Sequence, residues 1–174
     1  NNKNYEMLLN ICYFVIDGML QTTEKGEYKM AAFSDEHMAR LYEKFILEYY
    51  RTEYPSIKAE ASQIKWILDD DNSSMLPIMK SDITLSYKNK VLIIDAKYYG
   101  HNTQVQYDRH TIHSSNLYQI FTYVKNKEAE MKGMEHEVSG MLLYAKTEEE
   151  KQPDNLYSMS GNKISVKTLD LRSS

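Results

Sequence analysis

The run Val91-Leu92-Ile93-Ile94 and the three residues after it constrain this chain more than any other stretch. Four consecutive apolar residues, three of them β-branched, read as a strand buried on both faces. The strand ends in Asp95-Ala96-Lys97, an acid and a lysine two residues apart, which leave an extended backbone on the same side. Charges at the end of such a strand carry a desolvation cost that surface pairs escape. Upstream, Ile83, Leu85 and Tyr87 alternate with Asp82, Thr84 and Ser86, and a polar Lys-Asn-Lys turn (88–90) joins the two runs.

Register decides what this hairpin can do, because directly opposed residues share a face. With Lys88 and Asn89 in the turn, Tyr87 opposes Lys90 and Asp82 falls opposite Asp95. A four-residue loop gives the same register, whereas a three-residue loop puts Asp82 opposite Ala96, facing away from Asp95. Asn89 tolerates positive φ, so the turn is chemically reasonable. The favoured register therefore gathers two carboxylates and one ammonium. An acid two residues before a lysine also occurs at Glu27/Lys29, Glu130/Lys132 and Glu149/Lys151. Only the pair at 95 and 97 follows a buried apolar strand and has another acid facing it. A purely structural cluster, with Lys97 neutralising one carboxylate, fits the same residues.

A chain of 174 residues is the natural size for one domain with one core. At 42% hydrophobic it can bury that core, and no run approaches the roughly 18 apolar residues of a membrane span. The single cysteine, Cys12, excludes an internal disulfide framework and suits a reducing compartment. The chain opens Asn1-Asn2-Lys3 without a methionine, as expected of a fragment of a longer protein. A formal charge of −4 does not advertise nucleic-acid binding, although local basic patches and bound cations decide such contacts.

Met7, Leu8, Ile11, Cys12, Val15 and Met19 predict an amphipathic helix over Tyr5 to about Leu20, with a loop to Phe33. Ser34 or Asp35 caps a second helix, striped by Met38, Leu41, Tyr42, Phe45, Ile46 and Tyr49 and ending before Pro55. Glu43 lies on its flank and, on position alone, reads as a solvated charge. Gln63 to Leu68 reads as a first strand, and the aspartates at 69–71 as a solvated loop without the glycine and distal glutamate of a calcium site. After the central hairpin, 100–115 reads as a polar loop. Its His101, His110 and His113 lack the partners of a closed zinc site. A third helix, capped by Ser114 or Ser115, runs to about Lys132 with Leu117, Ile120, Phe121 and Val124 as its apolar stripe. Asn116, Gln119 and Tyr123 line another side, either facing a polar ligand or forming a partly exposed flank. Val138 to Ala145 is a further strand, and a terminal hairpin turns at 160–162 and runs to Leu171. The order implies an α/β fold with a mixed central sheet flanked by helices.

At this point the residues resemble a known pattern. Ser81-Asp82 followed by Asp95-Ala96-Lys97 is similar to the PD-(D/E)xK nuclease motif, with serine where that motif has proline. More narrowly, Leu41-Tyr42-Glu43-Lys44-Phe45, the stretch Leu76 to Asp82, Leu92 to Tyr99 and Asn116 to Phe121 resemble McrC-like nuclease subunits of McrBC modification-dependent restriction systems. Gly140 to Tyr144 and Thr168 to Leu171 continue the likeness.

The resemblance implies a restriction-endonuclease-like αβββαβ core with the C-terminal hairpin appended. It implies one nuclease domain over 1–174, entered by a helix and loop at 1–33 and lacking an upstream partner-binding region. The implied function is a Mg²⁺-dependent DNA endonuclease, with Mn²⁺ as a substitute, in a prokaryotic cytoplasm. Its partner would be a GTP-hydrolysing AAA+ subunit resembling McrB. By the same likeness Asp82, Asp95, the Ala96 carbonyl and, through water or directly, Glu43 would hold the metal. Lys97 would act on the attacking water and the phosphate. Gln119 and Tyr123, which match a Gln-x-x-x-Tyr element of some of these nucleases, would position the lysine or the DNA backbone. Two other readings fit the residues: a repair or end-processing nuclease of the same superfamily, and a non-catalytic nucleic-acid-binding module.

Overall fold

The computed structural model describes residues 35–70, 72–99, 103–106 and 109–171, with the backbone alone over 103–106, 109 and 110. The helix expected over Tyr5–Leu20, the loop to Phe33, Ser34 and His101 lie outside the described residues, as does the side chain of His110.

Helix α1 (Asp35–Glu53) carries Asp35 and Glu36 in its first turn and Arg51 in its last, both complementary to the helix dipole. It stops ahead of Pro55, whose ring disfavours helical geometry in the preceding residue. Strands β1 (Lys58–Glu60), β4 (Ile83–Tyr87) and β5 (Lys90–Lys97) follow, with β1 antiparallel to β4 and β4 antiparallel to β5. Between β1 and β4 the chain makes an excursion in which β2 (Gln63–Ile64) pairs only with β3 (Met79–Lys80). The expected first strand, Gln63 to Leu68, is therefore corrected. The strand on the main sheet is Lys58–Glu60, and 63–68 contributes two residues to a separate ribbon. Ile64 is buried by packing against the core, and Trp66 is tied down by its indole N–H donating to the Pro77 carbonyl at 2.7 Å.

After β5 the stretch expected to be a polar loop forms an antiparallel ribbon of β6 (Thr103–Gln106) and β7 (Arg109–Ile112). Helix α2 (Ser114–Glu130) then crosses to β8 (Glu137–Ala145), which runs parallel to β5. The residue at the N-cap of α2 is His113, with no side-chain cap bond, and neither expected serine takes that role. The terminal hairpin, β9 (Asn155–Met159) and β10 (Asn162–Leu169), joins the same sheet, β10 lying parallel to β8. The result is a six-stranded mixed sheet in the order β1-β4-β5-β8-β10-β9. Among the described residues no helix is long and apolar enough to cross a membrane.

The two faces of β5 explain why its sequence is apolar throughout. Ile94 and Ala96 pack with Ile83, Leu85 and the α1 residues Tyr42, Ile46 and Leu47. Val91 and Ile93 pack on the other face with Ile120, Tyr123 and Val124 of α2 and with Leu142, Ile164 and Val166. The hairpin turn has Lys88, not Asn89, in the left-handed region, at φ 53°.

Gly140 sets how closely α2 approaches the sheet. A Cβ there would lie 2.8 Å from Ile120 Cγ1 and from Val124 Cγ2, and 3.0 Å from Ile164 Cδ1. Two of these are atoms of stiff β-branched side chains near the helix backbone, which cannot swing aside cheaply. Gly140→Ala is therefore expected to destabilise the domain by about 1–3 kcal/mol through overpacking. At roughly 2–4 °C per kcal/mol for a chain of this size, thermal denaturation should show a clear loss. An unchanged melting temperature would mean that the helix is free to move off the sheet.

Candidate active site

The observed register is the one that brings the acids together. Tyr87 opposes Lys90 and Ile83 opposes Ile94, so the next position outward places Asp82 against Asp95. Alternation along β5 turns Asp95 and Lys97 toward the α2 side, opposite to Ile94 and Ala96. The Ala96 N–H donates to Asp82 Oδ2 at 2.8 Å. A strand residue presents its N–H and C=O at the same edge, so the Ala96 carbonyl also faces the Asp82 side.

Asp95 is 1% exposed. Its Oδ2 sits 2.8 Å from Lys97 Nζ, an ion pair largely closed off from solvent. Lys97 Nζ also donates to Gln119 Oε1 at 3.3 Å, and Gln119 Nε2 donates to the Tyr123 hydroxyl at 3.0 Å. Thus α2 holds the lysine through a two-step relay. Asn116 and Tyr123 are buried, and the Asn116 amide donates to the Tyr144 hydroxyl at 3.0 Å. Asn116 and Tyr123 are thus turned inward, while the half-buried Gln119 between them reaches the Lys97 ammonium.

The electrostatics follow from crowding. Burial raises the Asp82 carboxyl to about 8, and the charges of Asp95 and Glu43 push the same way against the Ala96 N–H. Glu43 is also raised, first by burial and then by Asp95, with Lys97, Arg40 and Lys80 opposing. Burial works against the charge on Lys97, but Asp95 outweighs it and holds the ammonium above its ordinary value. Glu43 comes from α1 on the opposite face of the sheet and reaches the rim of the site beside Asp82 and Ser81. Among the described residues no three His, Cys, Asp or Glu side chains form a ready-made metal cage. The paired unit is Asp82 with Asp95, and Glu43 acts on it through charge.

Sequence reasoning gave no role to Tyr144, which pairs with Lys97 across β5 and β8 and is wholly buried. The signal was faint: one hydroxyl at the end of an apolar strand. His113 packs edge-on against Tyr99, at 5.5 Å between ring centroids. It is not among the groups hydrogen-bonded to Lys97 or the paired acids.

Comparison with known proteins bears on the family of the chain. The family model of the McrBC 5-methylcytosine restriction system component matches residues 1–145. The type IV methyl-directed restriction enzyme EcoKMcrBC of Escherichia coli (strain K12) is 29% identical over 176 aligned residues, covering 98% of this chain. The chain spans about half of that relative, 49% of its length. A solved half-complex of Thermococcus gammatolerans McrB AAA+ hexamers with bound McrC superposes with a TM-score of 0.51 at 17% identity. The match covers 75% of this chain and 28% of the solved one, a likeness of fold. With its family model matched over most of its length, this chain belongs to the McrBC 5-methylcytosine restriction system components.

Proposed function

We propose that this chain is a divalent-metal-dependent DNA endonuclease domain, the cutting part of a modification-dependent restriction complex. The observation that carries this reading is the convergence of Asp82, Asp95 and Lys97 at the end of one buried strand. The element order α1-β1-β4-β5-α2-β8 corresponds to the αβββαβ core of PD-(D/E)xK nucleases, which supports that fold assignment. The family and the solved relative, whose title pairs McrB AAA+ hexamers with McrC, support a partner resembling McrB. We place the complex in a prokaryotic cytoplasm.

The residues present fit a hard cation. Asp95 is a buried carboxylate, and the Asp82 carboxyl beside it is driven toward its protonated form first by burial and then by its anionic neighbours. Carboxylate and carbonyl oxygens are the donors that Mg²⁺ takes, with water completing its shell. Asp82, Asp95 and the Ala96 carbonyl would hold Mg²⁺, or Mn²⁺ in its place, with Glu43 contributing from the rim. When bound, such a cation neutralises phosphate charge and acidifies water. Lys97 orients the attacking water and stabilises charge developing on the phosphate, and Gln119 and Tyr123 fix its ammonium. The alternatives, an end-processing nuclease or a non-catalytic module, have no feature here that favours them. Two facing carboxylates at the end of a buried strand are of no use to a scaffold.

In metal-free buffer the carboxyl of Asp82 gives the domain an unusual pH dependence. Its folded value of about 8 lies above the unfolded value of roughly 3.9. The folded state therefore holds the extra proton between these values, and stability falls as pH rises through that window. Differential scanning calorimetry in EDTA should show a melting temperature declining from about pH 4 to about pH 8, with much of the slope removed by Asp82→Asn. Added Mn²⁺ should restore stability at the alkaline end. A flat profile, or one insensitive to Mn²⁺, would count against the site.

Lys97→Ala, assayed in the full complex, is expected to lower strand cleavage by about 10²–10³ while the partner still hydrolyses nucleotide. Loss of a partner from a buried ion pair ordinarily costs roughly 3–5 kcal/mol. Here Asp95 has a neighbouring acid with which to share a proton, so the variant should remain folded. A sharply lowered melting temperature with cleavage retained would make Lys97 a structural counter-ion only.

A further inference from the structure

A cleft of about 370 Å³ opens beside the paired acids and continues past Asp82 and Glu43 along α1. Its lining includes Arg40, Glu43 and Lys44 from α1, Leu47 below them, and Lys80 and Asp82 from the segment that runs from the end of β3 into β4. Helical spacing explains the first wall: residues i, i+3 and i+4 share one face. Extended spacing explains the second, since Lys80 and Asp82 are two residues apart and Met79 and Ser81 are buried between and before them. Three cations thus surround two acids at the mouth of a site that handles phosphate, on a chain that is acidic overall.

The cations are also available. Among the described residues Arg40 is held by Glu36 alone, at 2.6 Å on the exposed side of the helix, and Lys44 by Glu48 at 3.1 Å. Exposed pairs of this kind contribute little and exchange readily for a better anion. Lys80 makes no ion pair among the described residues, and its side chain is exposed. A phosphodiester lying here would have a guanidinium on one wall and an ammonium on the other, and Arg is suited to hold two phosphate oxygens at once.

We propose that this cleft is a phosphate cradle, in which Lys80 and Arg40 grip a backbone phosphate of the DNA strand next to the one being cut. The strand then reaches Asp82 and Asp95 from the α1 side of the sheet. This rests on the nuclease reading above, and the two can fail separately. Lys80 and Arg40 are positioning residues: they fix where the strand lies and take no part in bond breaking. Contacts to phosphate set register and carry no sequence information, which is consistent with a cutting subunit that leaves recognition to its partner.

The test is made on the full complex with Lys80→Ala, Arg40→Ala and Lys80→Arg. Each alanine should raise KM for DNA more than it lowers kcat, and should weaken binding of a fluorescein-labelled duplex by about tenfold. In an Asp95→Asn background, which keeps the strands whole, the slope of log affinity against log salt should fall by about 1 for each alanine. Lys80→Arg should restore both readouts. If the alanine variants keep the parental KM and salt slope, the cradle is wrong. If they change only the melting temperature or the response to Mn²⁺, these cations merely neutralise Glu43 and Asp82, which also overturns it. Failure of the unsubstituted complex to cut DNA would sink the nuclease reading, and the salt slope would still decide the cradle.

Discussion

Everything in this molecule answers to one unfavourable contact: two carboxyl groups facing each other where a strand leaves the core. An isolated pair of this kind would separate or protonate. Here the register of β4 on β5 holds the acids opposite one another, and neither can move without unpairing the hairpin. The hairpin in turn is backed by β8, whose parallel pairing runs the whole length of β5. Apolar layers on both faces supply the favourable free energy against which the repulsion is held. A cation or a shared proton would relieve such repulsion.

The surroundings divide into a stiff part and an adjustable part. Lys97 is tied to Asp95 and Gln119, Gln119 to Tyr123, and the helix bearing them packs on the centre of the sheet. A side chain held at several points delivers its charge to a fixed place, as transition-state stabilisation requires. Glu43 and Arg40 differ. They project from the other helix, half-buried and exposed respectively, Glu43 acting on Asp82 through charge and Arg40 on Glu43. On the proposed reading, chemistry would sit on the α2 side and strand handling on the α1 side, with Asp82 between them.

How much of this was legible beforehand depended on what each residue packs against. Asp82, Asp95 and Lys97 could be read because a strand's period of two and a two-residue turn leave little freedom in register. Gln119 and Tyr123 could be read from helical spacing, but their inward direction could not, since only the folded sheet puts Lys97 beneath them. Strand β1 went unread because Ala59 alone of Lys58-Ala59-Glu60 is buried. Gln63 to Leu68 imitated a longer strand because Ile64 and Trp66 alternate with polar residues, yet the ladder stops at Ile64, and Trp66 is held by packing and a side-chain bond. The ribbon of β6 and β7 carries few apolar residues, so pairing leaves little trace in its sequence. His113 at the helix start shows the limit of capping rules when the preceding ribbon fixes where the helix begins.

Gly140 has a consequence that reaches beyond packing. Among the atoms its missing side chain would strike are those of Ile120, which directly follows Gln119, and Val124, which directly follows Tyr123 on the same helix. The clearance between that helix and the sheet is therefore also the clearance between Gln119 and Lys97. A single hydrogen acts as the shim that sets a machine tolerance several residues away. Any thicker shim would lift the clamp from the ammonium before it disturbed either carboxylate, detuning the centre while leaving its acids in place.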